Sequence, residues 1–241
     1  MTDKPEQATP PSDQPEGQTA ETPEYREISP DELQKILEQH RKWVESGGKE
    51  GKKADLYLAN LQKADLRSSN LQEAQLWASN LQKADLRGAN LQEADLYQAN
   101  LEKANLRGAH LQEANLVEAH LEKANLLGAH LEKADLRRAH LEKANLLEAH
   151  LEKAFLFRAH LQEAYLVEAH LQEADLVEAH LQEADLRLAH LEKADLRRAN
   201  LEGVKNLTQA QLNQACVDEN TTLPKGLTRP KPCSKEDLPK K

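Results

Sequence analysis

Ala54-Asp55-Leu56-Tyr57-Leu58-Ala59-Asn60-Leu61-Gln62-Lys63 opens a run that continues without insertion to Ala199-Asn200-Leu201-Glu202-Gly203. Its 150 residues divide into thirty units of five, with Leu third in all thirty and Ala first in twenty-eight; Ser69 and Ser79 are the exceptions. No proline interrupts it. Local propensity reads segments such as Leu131-Glu132-Lys133-Ala134 as helix, but the period overrules that reading. A helix turns about 100° per residue, so each successive Leu would be displaced by about 140° and no apolar stripe would form. A flat strand fails as well, because an odd period sends alternate Leu to opposite faces. What satisfies the pattern is a short extended piece that points Ala and Leu the same way, followed by a turn. Repeated, that corner winds a coil with Ala and Leu inside.

The unit resembles the A(D/N)LXX motif of the pentapeptide-repeat family, which Ala84-Asp85-Leu86-Arg87-Gly88 and Ala104-Asn105-Leu106-Arg107-Gly108 match letter for letter. The resemblance implies an all-β solenoid, a right-handed quadrilateral β-helix with four pentapeptides per coil. The first and third residues of each unit then face inward and the other three face solvent. Thirty units would make seven and a half coils, roughly 36 Å long at the ~4.8 Å spacing of stacked strands.

The flanks read differently. Residues 1–28 hold five prolines among Gln, Thr, Asp and Glu, with little apolar surface to offset ordering entropy. They are expected to form a disordered Pro/Gln-rich tail. Residues 29–53 are expected to form an N-terminal capping helix and linker. Ser29 suits the N-cap, Pro30 the first helical position, and Glu32 a capping box. Leu33, Ile36, Leu37, His40, Trp43 and Val44 recur at helical spacing until Gly47-Gly48 stops the run. Such a helix would cover the exposed end coil, as solenoids require. Residues 204–223 are expected to form a C-terminal cap, with a short helix entered at Thr208. Residues 224–241, with six basic side chains, two acidic ones and four prolines, are expected to form a basic flexible tail. Cys216 and Cys233 match no metal or redox spacing. With no export signal in view, free thiols and a cytoplasmic location are the expectation.

The outward positions carry a second period of ten. Even units read Ala-(Asn or His)-Leu-(Gln or Glu)-(Lys or Glu) and are expected to be solvated faces with weak ion pairs. Odd units place Tyr57, Trp77, Tyr97, Val117, Phe157 and Val177 in one column, and Leu127, Leu147 and Val167 in the opposite one. Phe155 and Tyr165 also break the Asp/Asn habit of the second position. These eleven residues are the candidate interaction surface, because contiguous solvent-facing apolar side chains mark binding sites. Histidine takes the second position at every tenth residue from His110 to His190. It should form two imidazole ladders one coil apart in spacing. Parallel rings do not converge on one point, so a ladder role is preferred to a metal-binding one. Mutual repulsion along such a ladder should lower the imidazole pKa values.

No Gly-rich phosphate loop or nucleophile–base constellation is present, and each titratable group of the run belongs to a repeated column. A convex rod also lacks a substrate pocket. The chain is therefore expected to be no enzyme and to need no cofactor. The preferred reading is a rigid scaffold for an unidentified protein partner, with a homodimer as an alternative occupant. A net charge of −9 argues against direct nucleic-acid binding, and no apolar run reaches the length of a membrane span. The family resemblance supplies a second function, since some members mimic duplex DNA and bind DNA gyrase. Over residues 54–203, however, 25 acidic side chains are interleaved with 17 basic ones. That mixture is a weak mimic of a phosphate field.

Overall fold

The computed structural model describes residues 24–231 and 233. Its backbone closes on itself every twenty residues. Parallel bridges join Asp55 to Gln75, Asn60 to Asn80, Asp65 to Asp85 and Asn70 to Asn90, and the four columns then repeat up the chain to Asp195, Asn200, Lys205 and His190. We call these faces A, B, C and D in that order. Each rung is a single bridged residue between tight turns, which makes the repeat region a β-helix of corners with little regular strand.

Every N–H of a typical unit is bonded, and this accounting explains the motif. In the unit starting at Ala124, Asn125 N–H donates to Ala104 of the coil before, and Leu126 N–H donates to Asn145 of the coil after. The fifth-position Gly128 N–H also reaches forward, to Leu147, and Ala129 N–H closes the turn on Leu126. The remaining fourth-position N–H, on Leu127, donates to the side-chain oxygen of Asn125 at 3.2 Å. Asp65, Asp85, Asn105 and Asn145 serve Arg67, Arg87, Arg107 and Leu147 in the same way. Asp or Asn in second place thus satisfies a donor that the coil leaves over. The turn needs a positive φ at its third residue only, the signature of type II. That residue is the fifth of the unit, with φ of 59° at Lys123 and 57° at Glu118.

Inside, every third-position Leu from Leu56 to Leu201 is at most 2% exposed. First-position Ala is buried too, with Ala64 as the partial exception. The small Ala leaves room for the Leu of neighbouring faces, so the core needs no aromatics. The inward and outward assignment of the repeat is thereby borne out: Leu126 is buried and its neighbour Leu127 is half-exposed.

At the N-terminal end, β1 (Arg26–Glu27) pairs in parallel with β2 (Ala59–Asn60), adding a rung below face B. Arg26 N–H donates to Leu58, and Asn60 Nδ2 donates to Glu27 at 2.8 Å. This corrects the expected boundary of the disordered tail at residue 28. Composition weighs apolar burial alone, whereas these residues are ordered by an unpaired backbone edge. Residues 1–23 of that expected tail lie outside the described residues. Helix α1 (Pro30–Glu45) begins at Ser29, whose side chain accepts from Glu32 N–H at 3.2 Å. It ends before the left-handed pair Gly47 and Gly48. Leu33, Ile36 and Leu37 pack against the core cluster, and His40 is buried.

At the other end the period slips. Asp195 is bridged by Cys216 and Asn200 by Thr222, one and two residues late. The slack holds α2 (Gln209–Leu212), entered through a capping box at Thr208 and Gln211. Gln211 Nε2 also donates to the carbonyls of Leu186 and Ala189, seating the helix on the last coil. Cys216 and Cys233 form a disulfide, with Cα atoms 5.4 Å apart. The free-thiol expectation is therefore corrected. The chain after Cys216 folds back: Leu223 and Leu227 pack on the core, and Arg229 donates to the carbonyls of Asp218 and Thr221. Residues 224–231 are thus packed where a flexible tail was expected. Residue 232 and residues 234–241 lie outside the described residues. Among the described residues, no helix is long and apolar enough to cross a membrane.

Candidate functional site

Two kinds of surface stand out, and the coil sets both. Faces A and C carry the apolar columns. On face A, Tyr57 and Trp77 stack with ring centroids 3.7 Å apart. Tyr97 and Val117 follow half-buried, then Arg137 interrupts before Phe157 and Val177. Phe155 projects beside Phe157 and is 40% exposed. Together Phe155, Phe157 and Val177 floor a cleft of about 550 Å³, walled by Asp135, Arg137, Asp175 and Arg197. The walls are fixed: Arg137 holds Asp135 and Arg197 holds Asp195, both through paired bonds of 2.6–2.8 Å. Face C carries Leu127, Leu147 and Val167, half-buried, with Tyr165 more exposed. The eleven candidate residues therefore fall on two opposite faces. Leu188, 63% exposed, is an apolar outlier not singled out from the sequence. Its signal was a Leu in a fifth position, where charged and small residues predominate.

Faces B and D carry the imidazole ladders. Ring centroids of successive histidines are 4.7–5.0 Å apart, with interplanar angles from 3° to 21°. The stacking expectation is met. The sequence reading missed the residue two places on. Glu122, Glu132, Glu142 and Glu152 fold back so that a carboxylate oxygen lies 3.2–3.5 Å from Nδ1 of His120, His130, His140 and His150. Glu152 also lies 3.8 Å from Nδ1 of His170, one coil further on. Four His–Glu–His sets result, each with its donor atoms within 4.8 Å of one another. They form two five-residue ribbons, His120-Glu122-His140-Glu142-His160 on face B and His130-Glu132-His150-Glu152-His170 on face D.

The ladders do not titrate uniformly. Glu122 raises the His120 imidazole above its usual range by accepting its hydrogen bond. At His160, burial and then the repulsion of His140 and His180 lower it. Its own unit offers neutral Gln162 where His120 has a carboxylate. His120 and His160 thus shift in opposite directions, the first through its carboxylate partner and the second chiefly through burial.

Ion pairs between coils line the corners. Lys133 reaches Glu113 at 2.8 Å, and Arg198 reaches Glu178 at 2.8 Å. Within units, Arg67 beside Asp65 holds that carboxyl down to about 2. Many acidic groups of the rod thus sit against a cation.

Comparison with known proteins agrees with the repeat geometry. The family model for pentapeptide repeats matches in eight copies, over segments running from 69–108 to 181–218. Among solved structures, HetL is 36% identical, a pentapeptide repeat protein involved in heterocyst differentiation regulation in the cyanobacterium Nostoc sp. strain PCC 7120. That match covers 75% of this chain and 84% of HetL, with a TM-score of 0.45. A trypsin-treated form of QnrB1, a plasmid-mediated fluoroquinolone resistance protein, is 17% identical. It covers 66% of this chain and 77% of its own, with a TM-score of 0.35. Rfr23 from the cyanobacterium Cyanothece 51142 is 36% identical over 44% of this chain and 64% of its own, with a TM-score of 0.24. No curated protein matches the chain.

Proposed function

The chain belongs to the pentapeptide-repeat family, and from that premise we propose a non-catalytic scaffold that docks a protein partner along face A. Family members fold as right-handed β-helices. The scaffold is a quadrilateral rod of thirty units, closed below by α1 and above by residues 204–223. The twenty-residue bridge spacing and the packing of α1 and α2 on the end coils support this.

One observation carries the choice of face. Phe155 stands in a slot whose Asp or Asn normally accepts the N–H two residues on, and an aromatic ring cannot replace that acceptor. The rod forgoes a local bond to place a ring beside Phe157 at the mouth of a cleft. An apolar floor with a charged, pre-paired rim is how interfaces are built. Tyr165 repeats the exchange on face C, which would be a smaller second surface. A DNA-mimicking role draws less support, because Arg67, Arg87, Arg137, Arg187 and Arg197 each neutralise the Asp two residues before them.

The test is affinity capture from the native cell with wild type and a Phe155→Asn, Phe157→Ser variant. Asn already stands on face A at Asn115, so the coil should persist. The expected result is loss of the specific partner, or of self-association by light scattering if the partner is a second copy. Capture unchanged by the double variant would place docking elsewhere.

A further inference from the structure

The imidazole ribbons have a chemistry that a solvated face does not require. Consider His150, Glu152 and His170 on face D. Glu152 Oε1 is 3.5 Å from Nδ1 of His150 and 3.8 Å from Nδ1 of His170. The two rings are 4.7 Å apart and already inclined by 14°. Zinc-type ions bind nitrogen at ~2.0–2.1 Å and carboxylate oxygen at ~2.0–2.2 Å, which puts tetrahedral donors about 3.4 Å apart. The carboxylate therefore supplies the convergence that parallel rings lack. Imidazole lone pairs lie in the ring plane, so ligation requires the two rings to turn out of their stack until both Nδ1 atoms face the ion beside the carboxylate, at roughly the tetrahedral angle.

The second carboxylate oxygens add a cost that a cation would relieve. Oε2 of Glu122, Glu132, Glu142, Glu152 and Glu192 is shielded from solvent and has no hydrogen-bond partner. The first four are the glutamates of the four His–Glu–His sets, and Glu192 shares the shielded oxygen without belonging to a set. A desolvated anionic oxygen without a donor is costly, and a bound cation would offset it. Nor is the glutamate needed to build the coil. Gln112, Gln162, Gln172 and Gln182 hold the same place, leaving a neutral amide oxygen there. Glu192 is an internal control: it lies 3.8 Å from His190, but the chain beyond turns into α2 and brings no second imidazole.

We propose that each ribbon binds one borderline divalent cation of the zinc class through two imidazoles and the carboxylate between them. Imidazole with carboxylate suits zinc, nickel and copper. Neighbouring sets on a ribbon share a histidine, and one Nδ1 serves one ion. The stoichiometry is therefore two ions per chain, each with a coordination position left for water or a partner's side chain.

The test is equilibrium dialysis and calorimetric titration of the full chain, disulfide intact, with zinc chloride alone at neutral pH. Two ions should bind per chain, and the melting temperature should rise reversibly on addition of a chelator-sensitive excess of zinc. Replacing Glu122, Glu132, Glu142 and Glu152 together by Gln should weaken binding at least about tenfold and leave the metal-free melting temperature unchanged. Glu192→Gln should change nothing. Should the fourfold variant fold poorly, His140→Asn with His150→Asn serves instead, since Asn holds that slot at Asn60 and Asn70. Wild-type affinity weaker than about 1 mM, or zinc held equally by the Gln variant, would overturn the proposal. The second result would mean adventitious binding to surface imidazoles.

Discussion

His40 accepts a hydrogen bond at Nδ1 from the backbone N–H of Ala54, at 3.1 Å. This bond joins α1 to the first residue of the repeat. Ala54 opens the first coil, and its N–H has no Leu of a preceding unit on which to close a turn. The imidazole stands in for that missing unit. It also fixes the ring as the neutral tautomer with hydrogen on Nε2, an atom that is buried without a well-aligned partner.

The His40 bond predicts a pH dependence. Burial lowers the folded pKa of His40 below the ~6.5 of an unfolded chain. Above pH ~6.5 both states are neutral and the docking contribution is complete; as pH falls, the unfolded chain takes up its proton first and stability declines. Trp43 stacks 5.7 Å from His40 and reports locally. In a Trp77→Phe background, Trp43 emission should show α1 loosening between about pH 6.5 and 5. His40→Gln, which keeps an acceptor and does not titrate, should flatten that profile. Identical profiles would show that the joint does not titrate.

Leu126→Lys and Leu127→Lys test the inside and outside of the coil on adjacent residues. The first buries an unpaired ammonium and should cost more than ~4 kcal/mol. The second adds an exposed charge and should stay within about 0.5 kcal/mol. Thermal melts that shift equally would reject the assignment of faces.

The left-handed turn residues make a third comparison. Lys123 holds φ of 59° in the position that closes its turn. A β-branched side chain tolerates that region poorly, whereas glycine enters it freely. Lys123→Val should destabilise relative to Lys123→Gly by about 1–2 kcal/mol, read as a difference in denaturant midpoint. Equal midpoints would mean that the turn relaxes to another type.

The disulfide makes a fourth. It closes a separation of 17 residues, and loops near that length contribute about 3 kcal/mol. Because it ties the folded-back segment to the last rung of face A, a thiol reductant should release residues 217–231 before the rod melts. Hydrogen exchange should rise there and stay slow at Leu126. Uniform protection after reduction would show that Arg229 and Leu223 suffice.

The rod was legible because its period is incompatible with helix and flat strand alike, and because every inward place is filled by Leu or by a small residue. The period alone assigns Leu56 to Leu201 to the inside. Ser29, Pro30 and Thr208 likewise mark their helix starts by local chemistry. What escaped depends on contacts between distant residues. Nothing near Arg26 or Glu27 signals a strand, since they pair with the edge at Ala59 and Asn60. Cys233 reaches Cys216 only because Leu223 and Leu227 turn the chain back. The role of Glu152 was hidden for another reason. In an isolated unit it looks like a solvated charge, and only the next coil sets His170 above it.

A bridge spacing of twenty residues also has a genetic consequence. Insertion or loss of twenty residues restores every column, so replication slippage by one full circuit changes only the rod's height. A slip of one unit is different. Leu and Ala would still point inward and the chain would still fold, but everything downstream would rotate by a quarter turn. The histidines would then be divided between unlike columns, and Phe155 would leave the line of Tyr57 and Trp77. Selection for folding alone would accept such a slip. The ten-residue alternation from His110 to His190 is unbroken, so no slip of a single unit interrupts either ladder, and each face keeps one kind of side chain along that stretch.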